Sequence, residues 1–169
     1  MQKLFLGIDQ SFTSSGICIL DEHSNIVHHE TINTTDADGD IFDRAIKVVK
    51  RLEEIIHQYE PVRVGIEGLA FSKFGNATRD LAGLQFVIIT HLRRTFPDFG
   101  TKLDIISPNL LKKFASGKGS ASKDDMFAAL SPEYAAIFTC YKKTKGRSDV
   151  VDAFWLAKMT LSIYNNNIV

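Results

Sequence analysis

The apolar and polar positions of this chain change rhythm several times, and each change predicts an element. Leu4-Phe5-Leu6-Gly7-Ile8-Asp9 is an unbroken apolar run that ends in an acid, the pattern of a buried strand. A polar turn from Gln10 to Gly16 leads to a second apolar run at 17–20. The turn Asp21-Glu22-His23-Ser24-Asn25 leads to a third at 26–32. Three such runs with short polar connections predict an antiparallel meander. After a polar loop at 33–40 the rhythm lengthens. Ile41, Phe42, Ala45, Val48, Val49, Leu52, Ile55 and Ile56 recur at helical spacing, which predicts a long amphipathic helix over 41–59.

A second strand of the buried type, 61–67, again ends in an acid, Glu67. A loop with Phe71, Lys73, Phe74 and Gly75 follows, then a helix over about 76–96, then a short strand at 103–106. Ser107-Pro108-Asn109 opens another helix, with Pro108 suited to its first turn. Ser116-Gly117-Lys118-Gly119-Ser120 is a flexible basic break, and Ser122-Lys123-Asp124-Asp125 caps a further helix. The order β-β-β-α-β-α-β-α…α predicts an α/β fold with a five-stranded mixed sheet flanked by helices. Its first and fourth strands are parallel neighbours, because a long helix crosses between them. That topology sets Asp9 and Glu67 side by side at the carboxyl ends of adjacent strands, where open α/β sheets build their sites.

The last helix breaks the amphipathic rule. From Ser148, a natural N-cap, through Met159 it shows almost no polar face, so it is expected to be buried. Yet Asp149 and Asp152 stand three apart on one side of it. Asp149 is explained by the helix dipole alone. Asp152 is not, since a carboxylate among buried apolar neighbours must be hydrogen-bonded, paired or bound to a cation.

Composition adds bounds. A chain of 169 residues with 44% hydrophobic and 24% charged positions is expected to form one domain, 1–169, with a full core. Its most apolar windows are too short or too charged to span a membrane, and its start carries no signal-peptide pattern. Cys18 and Cys140 lack metal-binding spacing, Cys18 reads as a small core residue, and a reducing cytoplasm is the natural setting. The net charge of zero hides an asymmetry: residues 1–60 hold 5 Lys/Arg against 11 Asp/Glu, and residues 61–169 hold 15 against 9. Most of the later cations fall between Lys112 and Arg147. Gathered on one face they would bind a polyanion; spread out, they merely solvate two loops.

Asp9, Glu67, Asp149 and Asp152 are therefore candidates for one cluster. Individually Asp9 also fits a turn-initiating acid, and Glu67 a strand reaching solvent. Jointly, acids from three segments converging on one sheet end would repel without cations, and hard divalent ions with oxygen ligands are the natural counter-charge. Two such ions would suit phosphodiester hydrolysis.

These residues also resemble a known family. Gly7-Ile8-Asp9-Gln10-Ser11 with Thr13-Ser14-Ser15-Gly16, Ile66-Glu67-Gly68, and Asp149-Val150-Val151-Asp152-Ala153 look like the RuvC-type Holliday-junction resolvases. The likeness continues through Asn76-Ala77-Thr78-Arg79 and Lys112…Gly117-Lys118-Gly119-Ser120-Ala121-Ser122-Lys123, so it covers essentially the whole chain in order. It implies a ribonuclease H-like fold and a homodimer. It also implies paired cutting of a four-way DNA junction with two Mg²⁺ ions, Mn²⁺ being able to substitute. Asp9, Glu67, Asp149 and Asp152 match the family's metal-binding acids. Lys123, and with it Lys112, match lysines that approach the scissile phosphate. Phe71 and Phe74 fall where the family carries an aromatic that stacks on an unpaired base.

Phosphate contacts are expected from Lys73, Asn76, Arg79, Lys112, Lys113, Lys118, Lys142, Lys143, Lys145 and Arg147. The helix after the Phe71 loop, with Leu81, Leu84, Val87 and Ile88, supplies either a dimer surface or core. One departure stands out: many members carry Pro-Gly after the first acid, whereas Gln10-Ser11 follow here, which suggests a diverged phage or viral branch. The rival readings are a broader nuclease of the same fold acting on branched DNA, flaps, replication forks or RNA–DNA hybrids, an actin-like or sugar-kinase-type ATP-binding lobe, and a catalytically silent DNA-binding module, against which the presence of all four acids argues. The second rival normally needs two lobes.

Overall fold

A computed structural model of the chain describes residues 2–69, 76–143 and 145–166. Five strands form one sheet in the order β3-β2-β1-β4-β5. Strands β1 (Leu4–Asp9), β2 (Ser14–Asp21) and β3 (Ile26–Asn33) make the antiparallel meander, while β4 (Arg63–Glu67) runs parallel to β1 and β5 (Leu103–Ile106) parallel to β4. The helix α1 (Ile41–Tyr59) has the range its periodicity predicts, with Asp40 accepting from the Phe42 and Asp43 amides at its start. The others are α2 (Asn76–Thr95), α3 (Phe99–Lys102), α4 (Pro108–Ser116), α5 (Lys123–Ala128), α6 (Pro132–Phe138) and α7 (Arg147–Tyr164).

Strand alternation divides the side chains between two cores. Leu6, Ile8, Ile17, Ile19, Val64 and Ile66 point to one face and are buried by α1 and by Leu84, Ile88 and Leu92 of α2. Cys18, Leu20 and Ile106 point to the other face and are buried by α7 with Leu111, Met126 and Phe138. Cys18 is fully buried, which pushes its thiol well up, whereas Cys140 is exposed. None of the described helices is long and apolar enough to cross a membrane.

Three glycines explain how α7 reaches the sheet. Gly7 and Gly65 are direct partners across β1 and β4, and Gly16 pairs with Asp9 across β1 and β2. All three face α7. A β-carbon at Gly7 would collide with the Ala153 carbonyl and lie 2.6 Å from the Ala157 nitrogen, and one at Gly65 would lie 3.0 Å from the Leu156 carbonyl. Bare backbone on three adjacent strands makes a trough, and the almost wholly apolar α7 lies in it.

Several boundaries differ from expectation; the strand expected over 61–67, for one, begins at Arg63. The turn expected to run to Gly16 ends earlier, because Ser14 and Ser15 already belong to β2. Ser15 is fully buried, and its hydroxyl is satisfied by donating to the Ser11 carbonyl at 2.7 Å and accepting from the Ser11 amide. The last helix is capped not by Ser148 but by Gly146, in the left-handed region at φ 86°, so that the Val150 amide bonds the Gly146 carbonyl at 3.1 Å. Ser148 lies inside the first turn and gives its hydroxyl proton to Asp149 Oδ1. The short helices α3 and α6 were not expected.

Candidate active site

Each acid owes its place to a different local rule. Asp9 and Glu67 end their strands two residues beyond Gly7 and Gly65, so strand periodicity turns both carboxylates to the α7 face. Asp149 and Asp152 lie on one side of the first turns of α7, held down by the glycine trough. Asp9, Glu67 and Asp152 line a common cleft of about 280 Å³ with Pro108, Leu111, Lys112, Lys123 and Met126. Lys123, the first residue of α5, reaches over from a turn fixed by reciprocal Ser122–Asp125 hydrogen bonds. Its Nζ stands 3.6 Å from Asp149 Oδ1 and 3.8 Å from Asp152 Oδ2, and donates to Ser148 Oγ at 3.2 Å.

The electrostatics are those of a site short of positive charge. Burial, then the neighbouring charges of Asp152 and Glu67, hold the Asp9 carboxyl well above its ordinary range. Glu67 is pushed up to about 7 by burial and by Asp152, against the pull of Lys123 and Lys112. Burial likewise lifts Asp152 to about 6, although Lys123 and Lys112 favour its ionised form. Burial works against the Lys123 ammonium, but Asp152, Asp9 and Asp149 outweigh it and raise its pKa. One ammonium thus serves several acids.

Among the described residues no three of these side chains close into a ready-made metal cage. The donor set is nonetheless all carboxylate oxygen, the chemistry hard divalent ions select, and it is under-neutralised in the way an added cation would relieve. Asp9, Glu67, Asp149 and Asp152 are the residues that could hold such an ion. A larger open cleft of about 650 Å³ runs along β3 and α1. Its charges answer one another, Arg51 with Glu30 and Glu54, and Lys47 with Asp38, each at 2.7 Å.

The other expected contact residues divide. Lys112 lines the acid cleft, and Lys113 is exposed on the same helix. Lys118 lies close enough to Asp125 to favour its ionised form. Lys143 pairs with Asp124 at 3.0 Å, and Arg147 stacks on the Phe127 ring at 4.4 Å. These cations therefore border α5, beside the cleft, and Lys142 and Lys145 are exposed in the same loop as Lys143. Arg79 is exposed on α2 and pairs with Asp80 at 3.5 Å. Asn76 opens α2. Phe71, Lys73 and Phe74 lie outside the described residues.

Two residues of the site had no role in the sequence reading. Gln10 and Gln85 are 5% and 8% exposed, and both donate side-chain N–H groups to the Glu67 carbonyl, at 2.8 and 2.7 Å. The glycine trough did leave a trace, since Gly-Ile-Asp and Gly-Ile-Glu repeat the same spacing in two strands.

The family model described as crossover junction endodeoxyribonuclease RuvC matches residues 5–156. A protein of that name from Ruegeria pomeroyi is 25% identical over 122 residues, 72% of each chain. One from Bartonella bacilliformis is 26% identical over 124 residues, 72% of this chain and 71% of its own. Thermus thermophilus RuvC shares the fold with a TM-score of 0.71 at 16% identity, over 96% of both chains. The same protein in complex with a Holliday junction substrate gives 0.69 over 97% of this chain and 94% of its own. A yeast mitochondrial Holliday junction resolvase gives 0.63 at 16% identity, over 96% of this chain and 81% of its own. By its sequence over nearly the whole of its length, and with a fold to match, this chain belongs to the crossover junction endodeoxyribonuclease RuvC family.

Proposed function

We propose that this protein is an endodeoxyribonuclease that resolves four-way DNA junctions, with the cleft of Asp9, Glu67, Asp152 and Lys123, and Asp149 beside that lysine, as its active site. The observation that carries this reading is the meeting of acids from β1, β4 and α7 around one lysine, in a chain of this family. Asp9, Glu67, Asp149 and Asp152 would hold two Mg²⁺ ions, with Mn²⁺ able to substitute. When bound, such ions supply Lewis acidity at the phosphate and lower the pKa of water.

The chain's own groups account for the rest. In the bond exchange, water adds to phosphorus and the 3′ oxygen departs, so negative charge grows on the phosphoryl oxygens. Lys123 is half free to leave its acids, with 64% of its side chain exposed, and its ammonium neutralises that charge, with Lys112 beside it. Lys113, Lys118, Lys142, Lys143, Lys145 and Arg147 hold the backbone and set its register without reading bases. From the segment between β4 and α2 and the start of that helix, Phe71 or Phe74 stacks on an unpaired base, while Lys73, Asn76 and Arg79 contact phosphates.

Paired cuts require two sites. On α2, Leu84 and Ile88 serve the core, while Phe86 is 72% and Val87 40% exposed, so the outward face around Phe86 suits a second copy. The whole of 1–169 acts in this reading as one nuclease domain working on DNA in the cytoplasm.

The test is cleavage with Mg²⁺ of synthetic four-way, forked, flapped and linear DNA. Paired nicks confined to the four-way junction are expected. Equal cutting of linear duplex would refute junction resolution, and preferential cutting of flaps or RNA–DNA hybrids would favour the broader nuclease. Phosphate-led binding also requires affinity to fall steeply with salt.

A further inference from the structure

Glu67 is held from both faces of the sheet. Its side chain faces α7, whereas its neighbours Val64 and Ile66 face α1 and α2. Pairing between β1 and β4 stops at Ile8 and Ile66. The next peptide group, Gly68 N–H, bonds the Ile106 carbonyl of β5 at 2.7 Å, so the Glu67 carbonyl turns the other way, toward a β1 that has ended. That oxygen would be a buried acceptor at an abandoned rung of the ladder.

Two glutamines fill the rung. Gln10, one residue past Asp9, donates its side-chain amide where the next backbone N–H of β1 would have come. Gln85 donates from α2, and its Nε2 also lies 3.3 Å from Gln10 Oε1, which ties the two amides together. Both are more than nine-tenths buried, where such hydrogen bonds hold geometry firmly.

We propose that Gln10 and Gln85 are positioning residues, a two-donor clamp on the Glu67 backbone that fixes where its carboxylate sits in the cleft and thereby sets the cleft's affinity for divalent cation. The proposal rests on the reading of Glu67 as a metal ligand and adds a control over that ligand from the far side of the sheet. Gln85 is followed directly by the exposed Phe86 and Val87, so the clamp ties the helix that carries this outer face to the Glu67 backbone.

The experiment compares wild type with Gln10→Met, Gln85→Met and the double variant, since Met keeps length and volume but removes both donor hydrogens. Three quantities are read: the Mg²⁺ midpoint of the rise in melting temperature, junction affinity in EDTA, and cleavage at saturating Mg²⁺. Loss of a group that orients a ligand typically weakens metal binding roughly 10- to 100-fold. The double variant is expected to need about tenfold more Mg²⁺, each single variant less than the square root of that because the remaining amide still holds the carbonyl. Junction affinity in EDTA stays within about twofold, and cleavage recovers at high Mg²⁺.

A double variant with the wild-type Mg²⁺ midpoint overturns the clamp, as does a midpoint shift matched by an equal loss of junction affinity. If the double variant does not fold, Gln10→Met and Gln85→Met are read singly, and a Mg²⁺ midpoint equal to wild type in both overturns the clamp. A wild type that shows no Mg²⁺-dependent melting shift sinks the ligand reading itself, whereas a responsive wild type with unmoved variants sinks only the clamp.

Discussion

Gly16 lies directly beneath Asp149. A β-carbon at residue 16 would collide with the Asp149 carbonyl and come within 2.8 Å of the Val150 nitrogen. The helix that carries two of the four acids can therefore rest where it does only on a bare strand. Gly16→Ala must lift the start of α7 or tilt it, a steric cost of about 1–3 kcal/mol. For a chain of this size that is a fall of roughly 3–10 °C in melting temperature, with cutting lost beyond what the stability change explains. A circular dichroism melt within a degree of wild type would contradict the close contact.

Asp152 stands on the same helix in the cleft, 15% exposed and 3.8 Å from Lys123. Asp152→Asn is expected to reduce junction cutting by about 10³-fold or more while leaving junction binding in EDTA intact. Full cutting by this variant would take Asp152 out of the site.

The lysine is tested separately. Lys123→Ala removes the only described ammonium seen to bridge Asp149 and Asp152, and cleavage is expected to fall about 10²- to 10³-fold. Lys123→Arg, which keeps the charge with a different shape, should recover part of the loss. Equal rates for the Ala variant and wild type would return Lys123 to the role of a solvated first-turn residue.

The acids also make a prediction about pH. Glu67 at about 7 and Asp152 at about 6 bind protons in the folded chain that they would release when unfolded, where both titrate near 4. Their contribution to stability is thus present at low pH and disappears as pH climbs through about 6 and then 7. Without divalent ions the melting temperature should drop by several degrees between about pH 5 and pH 7.5. Saturating Mg²⁺ should flatten that decline, because bound cation replaces the protons. Parallel curves with and without Mg²⁺ would show that the ion does not bind at these acids.

Thr160 offers a change in the opposite direction. Its Oγ1 is buried over Gly65 with no hydrogen-bond partner among the described residues. Thr160→Val keeps the shape and removes the orphaned hydroxyl, which should stabilise by about 1 kcal/mol, or roughly 2–4 °C. A lower melting temperature would mean that the hydroxyl is satisfied in solution.

Much of this was legible in the sequence because strand ends and helix faces write themselves into local pattern. The runs that stop at Asp9 and Glu67, with α1 between them, were enough to place two acids together. The apolar α7 with its awkward Asp152 supplied the rest. What local pattern could not hold was anything that depends on a backbone atom far along the chain. Gln10 was visible only as a departure from Pro-Gly, and Gln85 as one polar residue in a helix. Their shared acceptor is a carbonyl that becomes available only when β1 stops one rung short. Ser148 misled for a related reason. It has the right chemistry for a cap, but the helix is started two residues earlier by the left-handed backbone of Gly146.

The glycine trough bears, finally, on when the protein becomes dangerous. Asp9 and Gly16 belong to β1 and β2, and Asp149 and Asp152 to α7, so the contact that completes the proposed site joins segments more than 130 residues apart. Such long-range closure comes late in folding. During synthesis the ribosome releases β1 and β4 with their acids long before α7 exists, and neither strand alone is a nuclease. A chain interrupted before α7 lacks Asp149, Asp152 and the helix that seats them, so the proposed site cannot assemble until that helix has been made.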